Sequence, residues 1–155
     1  MAEDIKNLNM SITVDDGSRR VPIMNTLGEE IGAFVFRPTD IGIIGRYNDL
    51  VARFDEITAP LQAAADADEA GVADALERAG SMLSDAVNAL FGSEDAADAF
   101  FGRMNPFSPV DGEFYCQQVL RCVGDYIGKA FDTETARFSE KAKAYANRAT
   151  RRAKK

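Results

Sequence analysis

Residues 19–40, RRVPIMNTLGEEIGAFVFRPTD, decide the fold. Two strands are expected around a turn at Leu27-Gly28-Glu29, the second carrying Ala33, Phe34, Val35 and Phe36, which predicts an antiparallel pair. Pro22 cannot donate to a ladder, so the first of them is an edge strand or begins late. Toward the N-terminus, SITVDD (11–16) alternates Ile12 and Val14 with polar neighbours before the turn chemistry of DDGS, which predicts a further short strand. The expectation is a small N-terminal antiparallel hairpin or three-stranded sheet with one face to be covered.

The cover must be helical. Thr39 or Asp40 suits an N-cap, and Ile41, Ile44, Tyr47 or Asn48, Val51, Phe54 and Ile57 recur at three and four residues. That pattern predicts one helix to about Thr58, ending before Pro60. A second, alanine-rich helix is expected from Asp68 to Leu90, with Val72, Leu76, Ala79, Leu83, Val87 and Leu90 inward and Gly92 as its stop. Ser93 opens a short helix through Phe100, Phe101 and Met104. NPFSPVDGEF (105–114) reads as an apolar loop whose Phe107 and Val110 pack on the body. A helix from Gly112 to Phe131 and a last one capped afresh at Asp132 or Thr133 complete about five helices. The class is α+β, mainly helical, with one domain over 1–132 and a basic C-terminal helix or tail over 133–155.

Several chemistries are excluded by composition. The 155 residues hold no histidine, which removes the commonest general base and zinc ligand. Cys116 and Cys122 stand six apart, about 240° around a helix, so they form neither a mutual disulfide nor a CxxC site. Phosphate-loop, dinucleotide, nucleophile-elbow and HExxH patterns are absent, and the sequence predicts no enzyme and no cofactor. No apolar run approaches the roughly 18 residues of a membrane span, and MAEDIKNLNM lacks the form of a secretory signal, so a cytoplasmic protein is expected.

Charge is divided unevenly. From Arg137 onward there are eight Lys/Arg and one acid, net +7, whereas residues 1–136 hold ten Lys/Arg and 24 acids, net −14. In a terminal helix Phe138, Ala142, Tyr145 and Ala149 fall within about 60° of arc, with Arg137, Lys141, Arg148 and Arg152 along one flank. This suits docking on an acidic protein surface or on a neighbouring copy. A solvated helix end stabilised by the macrodipole is the plain alternative. Nucleic acid is disfavoured because the acidic body repels a polyanion. A membrane surface is disfavoured because the stripe is mostly methyl groups.

FVFRPTD (34–40), RYNDLVARFDEI (46–57), FFGRMNPFSPVDGEFY (100–115) and NRATRRAKK (147–155) together resemble the tail assembly chaperones of long-tailed bacteriophages and prophages. The resemblance runs from about Leu27 onward and implies a non-enzymatic protein of the host cell cytoplasm. Such a protein binds the phage tape measure protein and aids assembly of tail tube protein around it. Phe34, Phe36, Pro38, Thr39 and Asp40 match the family's strand-to-helix junction, and Asn105, Pro106, Phe107, Asp111, Gly112 and Phe114 its aromatic loop. Asn147, Arg148, Arg151 and Arg152 match its end motif. Tyr145, Arg148, Arg151, Arg152 and Phe107 are the expected partner-binding residues. The alternative is a structural virion protein, a tail terminator or connector subunit, forming rings through its small sheet.

Overall fold

The computed structural model describes residues 10–153. A hairpin of β1 (Arg19–Met24) and β2 (Glu30–Phe36) precedes helices α1 (Gly42–Ala52), α2 (Phe54–Ala63), α3 (Glu69–Phe91) and α4 (Ala96–Phe101). A second, two-residue hairpin of β3 (Pro109–Val110) and β4 (Glu113–Phe114) leads into α5 (Tyr115–Ala153). The protein is thus a mainly helical α+β fold, as expected.

The hairpin register pairs Arg19 with Phe36 and Val21 with Phe34, with an irregularity between Ile23 and Met24. Val21, Ile23, Phe34 and Phe36 therefore share one face, which turns to the core. Phe34 and Phe36 stack at 5.0 Å and meet Phe91 edge-on, each at 4.8 Å. Gly32 sits where the backbone of Ala99 in α4 crosses β2, and a side chain there would overlap that backbone. The predicted third strand does not form. Ile12 and Val14 lie in irregular chain, 93% and 73% exposed. Asp15 and Asp16 instead receive the amides of Gly17 and Ser18, and Asp16 also binds the Arg37 guanidinium at 2.7 Å. Together the Ser18 and Arg37 bonds hold the Asp16 carboxyl below the ordinary carboxylate range.

The α1 helix starts at Gly42 with Ile41 in the capping position and no side-chain cap, so neither Thr39 nor Asp40 is the N-cap expected, although the Asp40 side chain accepts the Gly42 amide at 3.1 Å. It does not run on to Thr58. The chain bends at Arg53 (φ −88°, ψ 0°), and α2 then continues through Pro60 to Ala63. Proline inside a helix costs about 3 kcal/mol, yet Ile57 on one side of it is fully buried and Leu61 on the other packs on the core. Tertiary packing outweighs the local preference. The α3 helix follows its prediction at both ends: Asp68 accepts the Gly71 amide, and Gly92 (φ 61°) closes it while the Ser93 amide returns to the Asn88 carbonyl. Its inward face includes Ala75, while Val72 is exposed. The next helix is shorter than expected, Ala96–Phe101, and Met104 lies outside it.

Two further expectations fail around α5. Asp111 (φ 51°) and Gly112 (φ 81°) form the turn of the β3–β4 hairpin, so the helix starts at Tyr115 and not at Gly112. Its first amides are taken up by that loop, Tyr115 by the Ser108 carbonyl and Cys116 by the Pro106 carbonyl. No new cap forms at Asp132 or Thr133. Thr133 and Thr135 turn their hydroxyls back onto the carbonyls of Lys129 and Phe131, and one helix of 39 residues, about 58 Å long, passes straight through.

Replacing Gly32 by alanine should destabilise the fold by about 1–3 kcal/mol, since the obstacle is helix backbone and not a movable side chain. Urea denaturation with an unchanged slope checks this. A loss under about 0.5 kcal/mol would mean that α4 yields to β2.

Candidate protein-binding surface

The first half of α5 closes the core. Cys116, Leu120, Val123 and Ile127 are buried along it, with Phe131 packed at the edge. Tyr47 of α1 donates its hydroxyl to the Leu120 carbonyl at 2.9 Å and lies on Gly124, where a Cβ would stand 2.5 Å from that oxygen. Burial, with Asp125 close by, raises the Tyr47 pKa. Glu113 and Arg121 form a 2.7 Å ion pair that ties the β3–β4 hairpin to the helix.

The same stripe then leaves the body. At 100° per residue, Leu120, Val123, Ile127 and Phe131 fall on one arc of about 100° with Phe138, Ala142 and Tyr145. Yet Phe138 is 75% and Tyr145 68% exposed. From Thr135 every residue whose side chain is described is exposed, over about 28 Å of helix. A face that builds a core in one half of a helix therefore continues uncovered in the other.

Four of the five expected partner-binding residues lie together on this projection. Tyr145 is on the stripe, Arg148 and Arg152 are beside it, and Arg151 is further round; all are exposed. Arg137 pairs with Glu134 at 2.9 Å. Among the described residues, Lys141, Lys143, Arg148, Arg151 and Arg152 make no ion pair, although salt bridges elsewhere neutralise Arg19, Arg20, Arg37, Arg46, Arg53, Arg78 and Arg121. Phe107 stands apart from them. It is 5% exposed, its ring edge-on to Phe114 at 5.4 Å and its amide held by the Asn105 side chain, so it fills the core and offers no surface to a partner.

Sequence reasoning missed a groove between α1–α2 and α5. One part, about 570 Å³, is lined by Tyr47, Val51, Phe54, Leu120, Gly124 and neighbouring polar residues. The adjoining part, about 440 Å³, shares Phe54, Asp55 and Gln117 with it and continues to Leu61 and Phe114. The signal was present in the half-exposed Val51 of α1 and in the smallness of Gly124, but neither has meaning until the two helices are placed side by side.

Among the described residues, no group of three or more acidic or cysteine side chains is placed to hold a metal ion. None of their buried side-chain nitrogens or oxygens lacks a hydrogen-bond partner. No helix among them is long and apolar enough to cross a membrane. No protein-family model, curated protein or solved structure matches the chain.

The two thiols separate cleanly. Burial pushes Cys116 up to about 11, while Cys122 is exposed beside Val123 and Tyr126 at a small apolar cleft under β1. A colorimetric thiol reagent near pH 8 should titrate one cysteine in the native protein and two after denaturation. Fast reaction of both in the native state would place Cys116 outside the core.

Hydrogen exchange reads the change in cover along α5. Amides from Thr135 to Arg152 should exchange roughly a hundredfold faster than those from Leu120 to Ile127 in dilute protein at high salt. Equal protection would mean that the projecting half is packed in its own molecule.

Proposed function

We propose that the protein is a non-enzymatic assembly chaperone of the phage tail-assembly kind, acting in the host cytoplasm by holding the tape measure protein until tail tube protein assembles around it. The observation that carries this reading is the uncovered continuation of a core stripe, Phe138 and Tyr145, flanked by Lys141, Arg148 and Arg152, which make no ion pair among the described residues. A client with an amphipathic, acidic helix supplies both missing halves: apolar side chains for the stripe and carboxylates for Lys141, Arg148, Arg151 and Arg152. The resemblance of the junction, loop and end motifs to tail assembly chaperones supplies the identity of that client.

Electrostatics favour a polypeptide over a nucleic acid. A cationic helix of net +7 joined to a body of net −14 attracts a compact acidic helix, while the body repels a long polyanion. The alternative of a ring-forming structural subunit is less well supported at its proposed contact. Pro22 removes a backbone donor from β1, which weakens that strand as an edge for a neighbour.

Co-expression with the tape measure protein should keep it soluble. Arg148→Glu, Arg151→Glu and Arg152→Glu together should weaken the complex at least about tenfold at low salt, the difference shrinking as salt is raised. Retention of full affinity by the triple variant would remove the basic helix from client binding, and failure to solubilise any tape measure protein would remove the chaperone assignment.

A further inference from the structure

We infer that the groove between α1–α2 and α5 is the docking site for the C-terminal helix of a second copy of this chain. The inference stands apart from the identity of any client, since it rests on two surfaces of the same molecule that fit each other.

The groove has an apolar floor and acidic rims. Tyr47, Val51, Phe54, Leu120 and Gly124 line its first part, and Leu61 and Phe114 continue it. From Gln117 to Asp125 it follows α5 for about 12 Å, a little over two helical turns. Asp55 stands on the α2 rim and Asp125 on the α5 rim, and among the described residues neither makes an ion pair. Arg121, the cation of the lining, is already engaged by Glu113 at 2.7 Å. An incoming helix therefore meets carboxylates on both sides and no uncompensated positive charge.

The projecting half of α5 has the complementary form. Phe138, Ala142 and Tyr145 recur at four and three residues over about 10 Å, short enough to lie within the groove. Lys141, Arg148 and Arg152 run along one edge of the stripe, so they face a rim carboxylate whichever way the helix enters. Gly124 makes room for the hydroxyl end of Tyr47, which occupies the space a Cβ would take and forms part of the groove floor.

The helix cannot reach the groove of its own molecule. The groove wall is α5 itself, and the 39 residues from Tyr115 to Ala153 are one unbroken helix, so the cationic half points away along the same axis. The contact is therefore between copies. It is reciprocal in a closed dimer or heterologous in a larger ring or chain. A client that covers the helix would displace the neighbour, which links client loading to release from self-association.

Sedimentation velocity of the full chain over a concentration series tests this. The wild type should associate at low salt and dissociate as salt is raised. Arg148→Glu with Arg152→Glu, and separately Asp55→Lys with Asp125→Lys, should each weaken self-association by more than about tenfold. An equimolar mixture of the two variants should associate again, since each then carries one intact half of the swapped contact. All four positions are exposed, and circular dichroism checks that both variants keep the helical fold. A wild type that stays monomeric throughout, variants that associate as the wild type does, or a mixture that fails to recover would each overturn the proposal. Client capture by co-expression is read separately with the Asp55→Lys, Asp125→Lys variant, whose cationic helix is intact.

Discussion

Everything in this structure depends on one stripe of apolar side chains along α5. Its first half, Cys116 to Ile127, lies against α1 and the hairpin and closes the core. Its second half keeps the same angular position on the helix but has no body beneath it, leaving Phe138 and Tyr145 in water. Burying such a ring is worth about 1.5–3 kcal/mol. A helix that carries two of them uncovered has an unspent drive toward a surface on another chain.

Charge sets which surface that is. The body is acidic and its own arginines are largely used in local ion pairs, at Asp15, Asp16, Glu30, Asp40, Glu56, Asp74 and Glu113. The cations of the projecting helix have no such partners among the described residues. Surface ion pairs individually contribute little, about 0–1 kcal/mol, and are screened by salt. In the proposed reading their effect is one of selection: the apolar stripe supplies affinity, and the flanking cations favour an acidic polypeptide as its cover.

Much of the fold was legible in the sequence where local chemistry and tertiary packing agree. Asp68 and Gly92 mark the two ends of α3 because each satisfies backbone groups at a helix end whatever surrounds it. Errors arose where distant contacts overrule local preference. Pro60 is carried inside α2 because Ile57 and Leu61 are anchored in the core, and Thr133 does not cap because its hydroxyl bonds back into an unbroken helix. The Asp111-Gly112 pair was a turn signal hidden within an apolar loop, and its hairpin moved the start of α5 by three residues. At the candidate site, the spacing of Phe138, Ala142 and Tyr145 showed the stripe in advance. Its continuity with the core, the burial of Phe107 and the groove beside Gly124 needed three dimensions.

A stripe uncovered within one molecule and covered between molecules, as proposed, changes its environment on association. Tyr145→Trp places a reporter on it in a chain that has no tryptophan of its own. In dilute protein at high salt its emission should be that of a solvated indole. The emission should shift to the blue as protein concentration rises at low salt or as an acidic helical client is added. Blue-shifted emission already present in the dilute monomer would mean that the stripe is covered in its own molecule, and solvent-like emission under every condition that nothing covers it.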